Sequence, residues 1–432
     1  MSKYKKLINS LFPDGIAFRS VLTRGLGTLV QLIFTIYIGR MLGAEALGIF
    51  YIYYSWINFI STFISFGHNA QIIKKVSIYN FRGFDSAEIK LITKSIFFIT
   101  IAGSLVYLIT VFFSIDIANR FFDDNNLISI PKYSAMGGII FALIKIISDS
   151  FKAKKKVSFG LFLEFVLPFT SLLIVLIICR LTSYHILIMD IIFIHLTVSF
   201  FIMITSLVCL FFSSYKDLFV NLDWLKINEP FEIKILLKFW LIMLFNNLLS
   251  IGPYLILPFY VTNNDIGHFS IAHRFVAITA SILFALGSYY GPQFSRIFSE
   301  NNSIKLLKSY RSSQKYSILF CLPLLTIYLY APKILIKIYG ADFLPAIPLL
   351  LIMATGRIIN AIVGLSEHFL NMTGNEQWEL LSTFLSVILF FFLSFFQISS
   401  NSIGSVAWAF TIAVSFKSLF SYIRIYNFTN AK

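Results

Sequence analysis

Six basic residues, Arg19, Arg24, Lys145, Arg274, Arg357 and Lys417, fall inside stretches of chain otherwise apolar enough to cross a bilayer. A cation at the centre of a bilayer costs about 3 kcal/mol on insertion scales unless it faces protein or water. Positive charge kept in several such places calls for an anionic partner, and within a bundle of helices an anionic cargo passing between them would answer for all of them at once. The guanidinium fork suits phosphate and acidic sugar groups, which accept paired hydrogen bonds. The six differ in setting. Arg19 and Lys417 lie near span ends, where long side chains reach the interface, and are read as anchors. Lys145 has Asp149 four residues on, the spacing of a helical ion pair, so a structural pair and a functional role both stand. Arg24, Arg274 and Arg357 have no carboxylate three or four residues away. Backbone carbonyls, a carboxylate on another helix, or cargo phosphate are the partners open to them.

Neutral polar residues repeat the pattern. Arg24, Thr28, Gln31 and Thr35 share one helix face by their spacings of four, three and four, as do Tyr51, Ser55, Asn58, Thr62, Ser65 and Asn69 in the next segment. Asn247, Ser250 and Tyr254 form a third stripe, and Arg357, Asn360, Gly364, Glu367 and Asn371 a fourth. Stripes of Ser, Thr and Asn alone would be read as hydrogen bonds between helices. The arginines among them favour a shared, partly hydrated cavity.

The elements that must position these residues follow from composition. Hydrophobic residues make up 58% of the 432, charged residues 13%, and the mean hydropathy is +0.82, values far from those of soluble domains. Twelve spans are expected, at 18–42, 45–67, 91–114, 131–151, 158–180, 186–213, 235–261, 266–291, 314–338, 345–372, 378–398 and 401–427. Each meets the requirement of about 20 apolar residues at 1.5 Å rise, and their Leu, Ile and Phe content favours helices over an alternating barrel pattern. The fold class is an all-α integral membrane protein.

Most of the remaining Lys and Arg fall on one side, at the N-terminus (Lys3, Lys5, Lys6), around Lys74 to Lys94, at Lys152 to Lys156, from Lys216 to Lys238, from Arg296 to Lys315, and at the C-terminus. The positive-inside rule then places both termini in the cytoplasm. The +15 net charge is accounted for as a topology signal facing anionic lipid, without a nucleic-acid partner. The lead MSKYKKLINSLFPDG is broken by Pro13 and Gly15 before an apolar core forms, so a surface helix or an unstructured tail is expected there and not a cleaved signal. Cys179, Cys209 and Cys321 lack metal-ligand spacing and read as small core residues, and no metal site is expected.

Two internal echoes point to duplication. Gly48 and Phe50 can be laid over Gly267 and Phe269, with Gly67 and Gly287 following, and Asp149 and Phe151 over Glu367 and Phe369. Residues 1–213 then form one six-helix lobe, 214–234 a cytoplasmic linker and 235–432 a second lobe. An offset of six helices makes the copies parallel. The lobes are expected to face each other across the cavity.

At YIGRMLGAEALGIF (Tyr37 to Phe50), IGHFSIAHRF (Ile266 to Phe275) and KILIKIYGADFLPAIPLLLIM (Lys333 to Met353) the chain resembles the Wzx-type polysaccharide repeat-unit flippases of the multidrug/oligosaccharidyl-lipid/polysaccharide exporter superfamily. The resemblance implies a MATE- and MurJ-like bundle that moves undecaprenyl-diphosphate-linked oligosaccharide across the bacterial inner membrane by alternating access, ahead of O-antigen or capsule polymerisation. It implies cargo handling by cavity cations, here Arg24, Arg274 and Arg357 with Lys145, alongside the polar Gln31, Asn247 and Asn360. Partners would be the lipid-linked oligosaccharide and the bilayer, with a polysaccharide polymerase and chain-length regulator. No cofactor is expected beyond coupling to H⁺, Na⁺ or the membrane potential, for which Asp149 and Glu367 are the candidates.

Two other classes stay open. A cation-coupled drug exporter of the same superfamily would need acidic residues in the first lobe, where only Asp149, Glu164 and Asp190 qualify, all near span ends. A membrane-embedded polymerase or ligase would carry a large outside loop, whereas the longest one expected, 115–130, is short.

Overall fold

All regular structure in the computed structural model is helical among the residues it describes, which are 15–82, 85–121, 128–182, 185–214, 233–300, 302–397 and 403–430. The N-terminal lead, the loop residues Asp123 and Asp124, and most of the 214–234 linker lie outside the described residues. Ten helices among the described residues are long and apolar enough to cross a bilayer. The chain is an all-α multi-pass membrane protein.

The first helix, α1 (Gly15–Ser65), runs 51 residues and covers the first two expected spans. A straight helix of that length would rise about 75 Å, more than twice the ~30 Å bilayer core. It turns at Gly43, the non-helical residue inside it, with φ 83° and ψ −173°. That region of backbone space is open to glycine almost alone, so Gly43→Ala is expected to lower stability by about 1–3 kcal/mol. Thermal unfolding in detergent checks this, and an unshifted midpoint would mean the turn relaxes into another geometry.

The chain continues through α2 (His68–Arg82), α3 (Asp85–Phe112), α4 (Ser114–Phe121), α5 (Ile130–Ala153), α6 (Val157–Leu181) and α7 (Ile188–Ser214). In α6 a π-turn, Phe162–Val166, precedes Pro168. Proline has no N–H for the carbonyl four residues back, here that of Glu164, and the widened turn accommodates the loss. Next come α8 (Ile233–Ile256), α9 (Asn263–Ser299), α10 (Ser303–Tyr330), α11 (Pro332–Lys337), α12 (Ala346–Val363), α13 (Ser366–Met372), α14 (Glu376–Gln397) and α15 (Ile403–Asn430).

Two expected spans are divided. The 314–338 span ends as a helix at Tyr330, because Pro332 cannot continue the hydrogen-bond ladder, and Lys333 and Lys337 sit on the separate α11. The 345–372 span breaks at Gly364, with φ 75°. The carbonyls freed by that break find donors on α10, where Tyr310 Oη donates to Val363 O at 2.7 Å and Gln314 Nε2 to Ile362 O at 3.4 Å. Non-helical backbone at membrane depth requires such replacement donors.

The helices gather into two compact units, one of residues 22–34 and 49–247, the other of residues 35–48 and 248–432 together with the first turn of α1. In the former, Ile60 and Ile64 of α1, Ile72 of α2, Ile92 of α3 and Ile146 and Phe151 of α5 build the core. In the latter, Leu286, Tyr290, Phe294 and Ile297 form one stripe of α9 against Leu306 and Tyr310 of α10, Leu365 before α13 and Phe369 within it. Within a bilayer these contacts act through close packing, since the lipid tails are as apolar as the side chains. Phe97, Phe112, Phe201, Phe212, Phe395 and Phe396 stay exposed, as bilayer-facing side chains should.

Candidate functional site

In the unit of residues 248–432, Arg357 is placed mid-helix on α12, half-buried, and its Nη1 donates to Asn360 Oδ1 one turn on, at 3.1 Å. Asn360, 8% exposed, donates from Nδ2 to Ser418 Oγ of α15, so the asparagine fixes the guanidinium against a second helix. Among the described residues no carboxylate comes within ion-pair distance of Arg357, although the negative field of Glu367 reaches it. The fields of Arg357 and Arg274 both fall on His273 of α9, whose Nδ1 shares a hydrogen bond with Tyr254 Oη at 3.0 Å. Arg357 and Asn360 therefore lie together, and the fields of both arginines reach His273, a histidine that sequence reasoning passed over. The tyrosine–histidine pair left a signal in the Tyr254 stripe, but nothing there named its partner.

Glu367 and Lys417 lie in the same unit. Lys417, read from sequence as an interfacial anchor, is 5% exposed and binds Glu367 Oε2 at 2.8 Å and Glu379 Oε1 at 3.1 Å. That reading is corrected because hydropathy along α15 does not register what α13 and α14 place beside it. Glu379 also accepts from Thr383 Oγ1 at 3.3 Å and from Ser421 Oγ at 3.3 Å. Its spacing to Ser382 and Thr383, three and four residues on, was visible in the sequence and went unused.

The other unit holds Arg24, Gln31, Lys145, Asp149 and Asn247. The Arg24 guanidinium carbon stands 3.5 Å from the centroid of the Phe165 ring on α6, a cation–π contact that takes up one guanidinium face and leaves hydrogen bonding to its edge. Gln31, one to two turns further along α1, is half-buried, with no hydrogen-bond partner among the described residues. Asn247 spends its amide on the Asn58 carbonyl at 2.9 Å and on the Thr62 hydroxyl, and thereby ties α8 to α1. Its own stripe and that of Asn58 are helix contacts at this point.

Asp149 takes its ion pair from Lys152, at 2.9 Å, and a hydrogen bond from Asn69 Nδ2 at 2.8 Å, so the expected Lys145–Asp149 pair is not the one formed. Lys152 also binds Glu164 Oε2 at 2.5 Å across the α5–α6 turn. Lys152 lies one turn beyond Asp149 at the helix end, where it can swing toward both carboxylates. Lys145 and Arg24 still contribute positive field at Glu164. Lys154, another residue assigned to the basic loop, binds the buried Glu88 at 2.7 Å. Each unit thus contains two carboxylates sharing one lysine, Asp149–Lys152–Glu164 in one and Glu367–Lys417–Glu379 in the other.

Residues 17–298 match the family described as "Polysaccharide biosynthesis protein". No curated protein matches the chain by sequence. Among solved structures, a multidrug resistance MATE family transporter of the MOP superfamily in an inward-facing conformation is similar at a TM-score of 0.74 and 13% identity, covering 96% of this chain and 98% of that one. An outward-facing MATE family transporter is similar at a TM-score of 0.69 and 12% identity, with 96% of each chain covered. A MOP superfamily transporter from Pyrococcus furiosus, described by a binding pocket of reverse polarity that suggests a different function, is similar at 0.69 and 13% identity, again with 96% of each chain covered. At such identities the likeness fixes the fold, which is that of the MATE transporters.

Proposed function

Because the chain belongs to the polysaccharide biosynthesis protein family and is built on the MATE transporter fold, we propose that it is a flippase for undecaprenyl-diphosphate-linked oligosaccharide units. It moves them from the cytoplasmic to the outer leaflet of the bacterial inner membrane by alternating access, with both termini cytoplasmic, and hands them to a polysaccharide polymerase and its chain-length regulator for O antigen or capsule. The observation that carries this reading is Arg357, a membrane-embedded cation braced by a neutral asparagine, with no carboxylate at ion-pair distance among the described residues. Such a cation suits a diphosphate in transit and repels a cationic drug. A pocket of reversed polarity is the feature by which the Pyrococcus transporter is described, and it gives the MATE fold a precedent for such a change.

Arg24 serves the same end from the other unit, with Gln31 and Asn360 available to sugar hydroxyls and Lys145 adding field. Asp149 and Glu367 are our candidates for coupling to H⁺ or Na⁺, since each belongs to a cluster with one carboxylate more than its lysine balances. The reading is tested in a flippase-null strain complemented with this chain. Surface polysaccharide should return, and the Arg24→Ala, Arg357→Ala double variant, at equal protein level, should instead accumulate undecaprenyl-linked units. Failure of the well-expressed parent chain to restore polysaccharide in its native pathway would refute the cargo. Full export by the double variant would return both arginines to a structural role.

A further inference from the structure

The side chain of Arg24 lies against a turn of α6 that faces two ways. That turn is the π-turn Phe162–Val166, ahead of Pro168. Consecutive residues on a helix point roughly 100° apart, at about 3.6 residues per turn, so Glu164 and Phe165 address different neighbours. Glu164, 5% exposed, faces α5, where Lys152 Nζ donates to its Oε2 at 2.5 Å and Ser148 Oγ donates to the same oxygen at 3.2 Å. Ser148 Oγ also lies 2.7 Å from the Gly160 carbonyl, one turn earlier on α6, so this end of the helix is clamped to α5.

Phe165 faces α1. A Cβ on Gly27 would stand 2.8 Å from Phe165 Cβ and 3.2 Å from its carbonyl carbon and oxygen, whereas one on Gly25 would meet nothing within 4 Å. Glycine at 27 therefore lets the two helices close at this point, and the ring comes to rest with its centroid 3.5 Å from the guanidinium carbon of Arg24, three residues earlier on the same face of α1. All of these residues belong to the unit of residues 22–34 and 49–247. The loss of a donor at Pro168 accounts for a widened turn, and it does not account for a carboxylate and a ring at the two positions that reach α5 and α1. Turns of this kind recur at functional sites.

We propose that Glu164 and Phe165 are positioning residues for Arg24. Glu164, tied to α5, fixes the π-turn, the turn fixes the ring, and the ring fixes the plane in which Arg24 directs its donor edge to a phosphate of the cargo. A guanidinium that swings freely supplies positive field from any orientation, whereas one laid flat on a ring directs its N–H fork in one plane, the geometry that pairs two oxygens of one phosphate. The ligand at Arg24 is thus narrower than an anion of any shape. Arg357, braced from its own Nη1 by Asn360, is held in another way and acts by field. The identity of the phosphate rests on the flippase reading. The positioning of Arg24 does not.

The test treats the purified full chain in nanodiscs with phenylglyoxal, which forms adducts with guanidinium groups, and follows Arg24 and Arg357 separately by peptide mass spectrometry. Phe165→Leu should speed the reaction at Arg24 about tenfold, the order expected for losing a desolvated cation–π contact, and Phe165→Trp should leave it slow. Glu164→Gln keeps an acceptor for Lys152 and Ser148 and Glu164→Ala keeps none, while both remove the charge. Arg24 should therefore react about fivefold faster in the alanine variant than in the glutamine one. Arg357 should react at the parent rate throughout. An unchanged rate in Phe165→Leu would overturn the role of the ring, and equal rates in the two Glu164 variants would overturn the role of the turn. A rise at Arg357 in step with Arg24 would mean that the fold has merely loosened and would overturn both. In a second arm, surface polysaccharide is measured in the flippase-null strain. Phe165→Leu and Arg24→Lys should each lower export about tenfold, and Phe165→Leu should cost nothing further once Arg24→Lys is present. Export retained by Arg24→Lys would overturn paired donation. If the parent chain exports no polysaccharide, the cargo assignment is what has failed, and the reactivity arm, which needs no cargo, still decides the positioning.

Discussion

Replacing Lys417 with methionine is expected to lower the stability of the protein by about 3–5 kcal/mol, the range for removing one partner of a buried ion pair. Methionine keeps the apolar stem that packs within the bundle, so the loss reports the ammonium alone. Without it Glu379, whose side chain is 2% exposed, faces Glu367 with only hydroxyl donors left. Adding Glu379→Gln to Lys417→Met should recover much of the loss, because the amide oxygen still accepts from one of the two hydroxyls, Thr383 or Ser421, its NH2 can donate to the other, and it carries no charge to be balanced. Thermal unfolding in detergent and the amount of protein in the membrane are the measurements. A Lys417→Met variant that melts with the parent would show that the two carboxylates do not depend on this lysine.

At Arg357 the expected effect falls on export and leaves stability in place. Arg357→Gln removes the charge but keeps a donor for Asn360, so protein level and melting should hold while export drops at least tenfold, equivalent to ~1.4 kcal/mol on the barrier. Arg357→Lys separates two ways of recognising phosphate. If positive field is what the cargo needs, lysine will retain most of the export. If paired donation from the guanidinium edge is needed, lysine will fail as glutamine does. The bracing of Arg357 by a single neutral hydrogen bond favours the field, and retained export with lysine is the result we expect. Parent-level export by Arg357→Gln would remove this residue from cargo handling.

The all-helical class and membrane location were legible because each depends on residues adjacent in the chain, whereas the breaks that divide the 314–338 and 345–372 spans were not placed. The pairings of Lys417 were not, since Glu379 and Glu367 lie 38 and 50 residues earlier, on separate helices. Lys145 and Asp149 were matched on helical spacing alone. In the structure Lys152 takes the ion pair with Asp149 instead, and the turn after α5 carries Glu164 within its reach as well. The stripe containing Asn58 and Thr62 was correctly seen as one face, but periodicity cannot distinguish a face that meets Asn247 from one that meets cargo. The same limit applied to Gly48 and Gly267. Their likeness was visible, and their backbone contact with each other was not, because a repeat in sequence says nothing about which surfaces of its copies touch.

The stretch that turns at Gly43, residues 35–48, meets late parts of its own unit, Gly48 lying against Asn263 of α9 and Thr35 sharing a hydrogen bond with Tyr339, and this bears on how the protein is made. Asn263 follows Gly48 by 215 residues, and Tyr339 is farther still. At a synthesis rate of about 5–20 residues per second, this stretch waits roughly 10–45 s after leaving the ribosome before its first partner exists. Through that interval the backbone around Gly43, Ala44 and Gly48 lacks the neighbours that it meets in the folded chain. The packing of Gly48 on α9 thus cannot form until more than half of the chain has been made. A nascent chain released before α9 has inserted would carry its most characteristic sequence in an unassembled state, ready for quality-control proteases to recognise.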